Sequence, residues 1–378
     1  GAAVHWGRCW EGDGAPAFWP WIQILRTLGR DGDDDSRTAL ADLEGRLAGA
    51  DDAGAMEATT LDPAPSRFRL FDALTTTLIG VATARPLVLV LEDLHWADTP
   101  SVILLQFLVR HARGAPLLAI ATYRDVELEK EHALRAPLRN LLRHGDALPL
   151  TGLAPDDVAR YVAATLGDER ARTLAPRLHR ETEGHPFFLV EMVRLLEAST
   201  AAALAGIPDG IRELIARRLR QRSPDCQRFL RVAAVVGRDF SLALLRRLSP
   251  LADADLIALV GEALDARLIT VGTDRDDYRF SHALVREALY TDLVLAERIA
   301  LHREIGTAIE ASAGEDTAPI AILAHHFREA AADGDTERAI HYGILAGERA
   351  SRALAHEDAV AHYERTLQVL ERQRPIDE

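Results

Sequence analysis

Two short, continuous apolar runs constrain this chain more than any other feature. Residues 87–91 read LVLVL and residues 116–122 read PLLAIAT, and between them Val102, Leu104, Leu105, Phe107 and Leu108 recur at helical spacing. An uninterrupted apolar run of that length buries both faces of a strand, and a helix between two such strands makes a parallel pair covered on both sides. The expected core is therefore α/β with a parallel sheet. A further strand is predicted over residues 2–9 (AAVHWGRC), and a smaller one over 147–150, after an amphipathic helix over 134–143. Residues 10–21 (WEGDGAPAFWPW) form an aromatic-rich turn that leads into the amphipathic run 22–30. Residues 31–66 are acidic and small, a weakly ordered connection holding one helix over 35–49, and helical spacing resumes over 67–84.

After Leu153 the strands nearly stop. Residues 156–166, 171–183, 186–198 and 208–222 read as helices, with APDD and IPDG supplying caps and acidic first turns. Residues 224–290 read as helices followed by a hairpin, LITVG and YRF flanking the polar turn TDRDD, which is the order of a winged helix. Beyond Asp292 the pattern is helical throughout. There AIHYGILAGERA and AVAHYERTLQVL place Tyr and Ala alike, as in a tetratricopeptide-type helix pair. The expected domains are an α/β core over 1–152, a helical segment over 153–206, a winged helix over 207–293 and the start of a helical array over 294–378.

Composition narrows the function. A chain of 378 residues is too long for one compact core, and its 48% hydrophobic content fits a globular protein. A net charge of −14 repels nucleic acid, so DNA contact is expected only through a module outside this chain. Cys9 and Cys226 lie far apart without metal-ligand or disulfide spacing, and no run reaches about 18 consecutive apolar residues, so a cytoplasmic protein with no membrane partner is expected. Among the 44 basic residues only Lys130 is a lysine, in VELEKEH, with no glycine beside it. A phosphate-binding loop needs GxxxxGK[ST], whose backbone N–H groups and lysine grip the phosphates. The chain opens at Gly1 without a methionine, directly on an apolar segment, and the expectation is a fragment.

The motif with the most chemistry is LVLVLEDLHWAD, residues 87–98, in which a buried strand delivers Glu92 and Asp93 at its C-terminal end. Ligand sites in parallel sheets gather at that edge. One carboxylate can hold Mg²⁺ through its water shell while the next polarises an attacking water, the arrangement of a Walker B element. The competing reading is a cap on the following helix. Trp10, Phe18, Trp19 and Trp21 read as hydrophobic packing beside a nucleotide cleft rather than a stacking platform for bases, and the arginines of RELIARRLRQR as a solvated face or a contact with the lid. His325 and His326 lack HExxH spacing, and GxSxG does not occur.

GRCWEGDGAPAFWPW, LVLVLEDLHWAD, ATYRD, EGHPFFLVEMV and FSHALVREALY follow in that order. Together they resemble the signal-transduction ATPases called STAND proteins, and within them the AAA-type ATPase region of bacterial LuxR-type and MalT-like regulators. The resemblance covers residues 1 to about 370. It implies a P-loop NTPase sheet of strand order 5-1-4-3-2, whose first strand and P-loop lie outside this chain, so that 87–91 pairs in parallel with both 116–122 and 2–9 while the strand over 147–150 stands apart without its neighbour; a lid, a winged helix and a TPR-like array follow. It implies ATP or ADP with Mg²⁺ as cofactors. Glu92 then takes the metal-side position, where relatives often carry Asp, and Asp93 the water-side one. Arg124 becomes the arginine that senses the terminal phosphate; its alternative is a surface pair with Asp125. Gly184 and Pro186 match the lid motif whose proline packs on adenine; as plain structure they are a helix entry. His282 matches the histidine that touches the ADP β-phosphate, against a structural core residue or a helix cap. The implied behaviour is a switch: ADP locks the domains, an inducer or protein on the array loosens them, and ATP supports self-association. Alternatives are a non-hydrolysing scaffold for protein partners, or an ATPase region attached to a nucleotide cyclase or protein kinase.

Overall fold

The computed structural model describes residues 1–10, 14–31, 34–49, 63–124, 134–197, 211–272, 276–312 and 319–373. The chain divides into two compact units, Gly1–Asp146 with Leu295–Glu378, and Ala147–Val294. The first opens with β1 (Ala3–Arg8), α1 (Trp19–Asp31), α2 (Asp34–Leu47), α3 (Pro63–Ala84), β2 (Leu87–Glu92), α4 (Thr99–His111), β3 (Leu117–Ala121) and α5 (Arg135–Leu142). The three strands form one parallel sheet in the order β1-β2-β3, with Val4, Val88 and Leu118 in one row and Trp6, Val90 and Ile120 in another. The predicted pairing of 87–91 with both 2–9 and 116–122 is what the sheet contains.

The two faces of this sheet differ. Leu87, Leu89 and Leu91 are buried in one core with Trp21, Leu25, Leu74, Leu104 and Leu105, each such side chain contributing about 1.5–3 kcal/mol. The opposite face carries Val4, Trp6, Leu118 and Ile120, which are 52%, 46%, 56% and 43% exposed. A parallel sheet is normally covered on both sides. Among the described residues this apolar face is left open, and so is the outer edge of β3.

The strand predicted over 147–150 is not formed. Leu148 and Leu150 are 84% and 88% exposed, and Pro149 between them donates no ladder bond. A strand exists only with a partner, and this segment has none in either sheet.

In the second unit α6 (Pro155–Leu166), α7 (Asp168–Thr182) and α8 (Pro186–Glu197) enclose Val158, Val162, Leu178 and Val193. The APDD start of α6 works through Pro155 at its first position and the acids Asp156 and Asp157 beside the helix dipole; the cap residue Ala154 makes no side-chain bond. IPDG lies outside the described residues. Then follow α9 (Ile211–Arg220), α10 (Pro224–Val236), β4 (Asp239–Ser241), α11 (Leu242–Leu248), α12 (Asp253–Asp265), β5 (Ile269–Val271), β6 (Asp277–Phe280) and α13 (Ala283–Asp292), around Leu230, Phe240, Ala263 and Phe280. β5 and β6 pair antiparallel, and the three-residue β4 joins β6 on its other side. Residues 273–275 of the turn between β5 and β6 lie outside the described residues.

The chain then returns to the first unit with α14 (Leu295–Ser312), α15 (Ile320–Ala330), α16 (Thr336–Arg352) and α17 (His356–Gln373), each packed on the next. The two look-alike segments sit on α16 and α17. Gly343 and Gly347 make their close approach possible, because a Cβ there would lie 2.2 Å from Thr366 Oγ1 and 2.4 Å from the Tyr363 ring. These helices share the core of the sheet through Ala350, Ala353, Ala355 and Ala359, and the Arg67 Nη1 donates to both carboxylate oxygens of Glu357 at 2.9 and 3.1 Å. No described helix is long and apolar enough to cross a membrane.

Candidate functional site

The C-terminal edge of the parallel sheet collects the acidic residues. Glu92 ends β2 and stands in register with Arg8, which ends β1, and the Arg8 Nε donates to the Glu92 Oε2. Asp93 follows in the left-handed region, at φ 60° and ψ 44°, a conformation that Asp tolerates better than most residues. That turn takes the chain out of the strand and into the one-turn 3₁₀ helix Leu94–Trp96. It is pinned to β3 at two points. The Asp93 N–H donates to Thr122 Oγ1 at 3.1 Å, and the Leu94 N–H to the Thr122 carbonyl at 2.8 Å.

Arg124 arrives at the same edge from β3. Its N–H donates to His95 Nδ1 at 3.3 Å, and its guanidinium lies 5.5 Å from the Trp96 ring centroid, within cation–π reach. The motif LHW thus has a structural purpose: its ring pair, with centroids 4.5 Å apart, holds the Arg124 backbone through His95 and carries its guanidinium over Trp96. Asp125 and Lys130 lie outside the described residues.

Asp98 completes the motif as the N-cap of α4, accepting from the Ser101 N–H and Oγ, both at 2.7 Å. Burial pushes its carboxyl up, against hydrogen bonds from Ser101 and the Phe18 backbone that act the other way. The helix cap that competed for Glu92 and Asp93 therefore belongs to Asp98. Through it and the Trp21 Nε1–Ser101 carbonyl bond of 3.1 Å, the aromatic turn is fastened to α4. Phe18 and Trp21 are wholly buried packing residues.

In the second unit Gly184, Pro186 and His282 form a separate group. Gly184 sits at φ +72°, and a Cβ there would lie 2.1 Å from the Leu153 carbonyl oxygen, so the backbone pair Leu153–Gly184 admits only glycine. Pro186 starts α8 at an exposed position. His282 is the N-cap of α13, its Nδ1 accepting from the Leu284 N–H at 3.2 Å, and its ring stacks on Phe187 at 4.1 Å and 16°. A neutral ring that accepts at Nδ1 carries its proton on Nε2. The two motifs GHPFF and FSHALV thus meet at one stack. Arg218 of the arginine-rich run reaches α8, where it pairs with the buried Glu191 and donates to the Ala266 carbonyl. Burial pulls its pKa down.

Sequence reading missed Arg8, Thr122, His95 and Trp96. The first two are found only from the register of the strands; His95 and Trp96 stood inside the motif but without a role. Among the described residues no group of three or more His, Cys, Asp and Glu could enclose a metal. Mg²⁺ needs no such cage, since it keeps its waters and takes one or two carboxylates together with substrate phosphates. The donor set Glu92 and Asp93 fits that use.

Residues 2–120 match the AAA ATPase domain family. An uncharacterised protein of Rhizobium meliloti is 27% identical over 354 residues, covering 87% of this chain and 32% of its own length. Among solved structures, a signal-transduction ATPase with numerous domains and a tetratricopeptide repeat sensor, from Pyrococcus horikoshii, covers 98% of this chain with a TM-score of 0.56 and 14% identity. At that identity the likeness is one of fold: an NTPase-type parallel-sheet core followed by a mostly helical region. The chain spans about a third of the first relative and 48% of the second.

Proposed function

We propose that this chain is the nucleotide-switch region of a signalling ATPase of the STAND class, from a LuxR-type transcriptional regulator. The observation that carries the reading is the convergence of Glu92, Asp93 and Arg124 on one edge of a parallel sheet within an AAA ATPase match. Glu92 and Asp93 would hold Mg²⁺ through its waters, and Asp93 would orient the attacking water. Arg124, already aimed by His95 and Trp96, would read the terminal phosphate, where a planar and permanently charged fork matches an oxygen cluster. Bound nucleotide with Mg²⁺ supplies the phosphoryl group and the cation. Because Arg8 holds Glu92, a metal competes with that ion pair, and the site is poised rather than open.

The open β3 edge and the bare face of Val4, Trp6, Leu118 and Ile120 support a further strand and helix carrying the phosphate loop in the complete protein. Residues 153–206 act as the lid, with Pro186 against adenine beside Gly184. The order α10-β4-α11-α12-β5-β6 supports a winged helix, whose His282 Nε2–H would meet the β-phosphate of ADP. Helices α14 to α17 begin a TPR-like array that receives an inducer or a protein partner. DNA is bound by another module, and ATP supports self-association. A scaffold that uses these folds only for protein contacts is the competing reading, and turnover separates the two. In the complete protein Asp93→Asn, which removes the carboxylate assigned to the attacking water, lowers Mg²⁺-dependent ATP hydrolysis by about 100-fold or more while nucleotide affinity stays near wild type. Equal turnover in the variant removes Asp93 from the chemistry, and no turnover in either protein favours the scaffold.

A further inference from the structure

The small antiparallel sheet of the second unit ends in an open strand. Its order is β4-β6-β5, so among the described residues β5 has no neighbour on its outer side. The register settles what that side offers. The Ser281 N–H donates to the Leu268 carbonyl at 3.0 Å, and the Gly272 N–H to the Asp277 carbonyl at 2.7 Å. Alternation along an antiparallel ladder therefore commits Leu268, Thr270 and Gly272 to β6, and turns the N–H and C=O of Ile269 and Val271 to the open edge. Protein edges are ordinarily kept short and left to water. This one is short, but it borders a groove of about 640 Å³ that Pro186, Phe187 and Val190 of α8 also line. Val271 is 60% exposed, so the edge is reached from solvent. The Ser281 hydroxyl oxygen, in the same lining, is buried and has no hydrogen-bond partner among the described residues.

The groove is positive on a chain whose total charge is −14. Among the described residues that line it, Glu191 is the one carboxylate, and it is shared by Arg194 at 3.0 Å and by Arg218, so one positive charge is left over. Arg267 also lines the groove, is exposed, and makes no ion pair among the described residues, which adds a second. The ionisable residues of this unit outside the described side chains are Asp209, Arg212, Glu213, Asp274 and Arg275, and all five together add a single negative charge. The positive sign holds with every one of them counted.

We propose that this groove takes an extended acidic peptide of a partner protein, which adds to β5 as a further strand. Main-chain bonds to Ile269 and Val271 supply the pairing, the apolar residues of α8 receive alternate side chains, and Arg194 and Arg267 select carboxylates over ammonium groups. The inference concerns binding by the second unit and stands whether or not the sheet edge of the first unit handles a nucleotide.

The test is calorimetry on the chain of residues 1–378 with two acetylated, amidated peptides of one length, Val-Glu-Val-Glu-Val-Glu and Val-Lys-Val-Lys-Val-Lys. The acidic peptide is expected to bind, and the basic one at least about tenfold more weakly. Val271→Pro removes an outward N–H that β6 does not use, so the melting temperature should hold while the acidic peptide binds at least about tenfold more weakly. Val190→Glu, which sets a carboxylate in the groove and leaves the sheet untouched, carries the same expectation for binding. Arg267→Gln should narrow the preference for the acidic peptide. Absence of acidic-peptide binding at roughly 1 mM overturns the site. So does binding that both Val271→Pro and Val190→Glu leave intact. Equal or tighter binding of the basic peptide overturns the chemistry assigned to the partner.

Discussion

Arg124 and His282 are the two side chains on which the direction of the proposed switch depends, and both are pre-set by neighbours. The Arg124 backbone N–H is held by His95 and its guanidinium lies over Trp96, while His282 is set by the Leu284 N–H and Phe187. One hydrogen bond to a charged phosphate is worth about 1.5–3 kcal/mol, or about ten- to a hundredfold in an equilibrium. In the complete protein His282→Ala is therefore expected to speed release of a fluorescent ADP by that factor, whereas Arg124→Ala weakens ATP without altering ADP release. Release at wild-type rate in His282→Ala would leave the histidine as the cap of α13 only. A different residue gives the pH test. His5, buried in β1 with Nδ1 3.0 Å from Thr27 Oγ1, has its pKa lowered by burial, an effect that Arg85 reinforces and Asp31 opposes. The neutral ring is the folded form, so its stabilisation is complete above the ordinary value of 6.5 and is lost as pH falls below it toward the lowered folded-state value. The melting temperature of wild type should fall relative to His5→Gln between about pH 7.5 and 5.5. Parallel pH curves for the two proteins would show that His5 does not titrate in that window.

Among the elements, β2 and β3 declared themselves in the sequence through their continuous apolar runs, which suit a strand buried on both faces; β2 comes close to that use, whereas β3 is an edge strand with Leu118 and Ile120 exposed. The segment 147–150 did not, because its two leucines are consistent with a strand only if a neighbour pairs with it. β4 is three residues long, below the length at which alternation can be read. The site divides the same way. Glu92 and Asp93 are legible as the acidic end of a buried run, but the Arg8–Glu92 pair depends on register, which sequence spacing does not encode. His282 as a cap was one of the readings that the residue type allowed, and the geometry realises it without deciding what Nε2 meets. Asp98 carried a signal that went unused, Asp followed by Pro100 and Ser101 ahead of a helical run, which is a capping pattern. Asp98→Ala should cost about 0.5–2 kcal/mol in urea unfolding, and Asp98→Asn, which keeps an acceptor, clearly less. Equal losses in the two variants would assign the effect to charge rather than to the cap.

At the scale of the whole molecule, the acidic sheet edge and its arginine lie in one compact unit, and the Gly184, Pro186 and His282 group in the other. The account requires that nucleotide state, and not nucleotide presence alone, governs assembly, since a ligand shifts a two-state equilibrium only by its differential affinity for the two states. The most direct test is the mass distribution of the complete protein in solution, with Asp93→Asn used to hold ATP unhydrolysed, compared in Mg²⁺–ADP and Mg²⁺–ATP. The account predicts protomers with ADP and a larger closed or filamentous assembly with ATP, the assembly dispersing when ATP is exchanged for ADP. The same mass distribution in both nucleotides, with both shown to be bound, would contradict it.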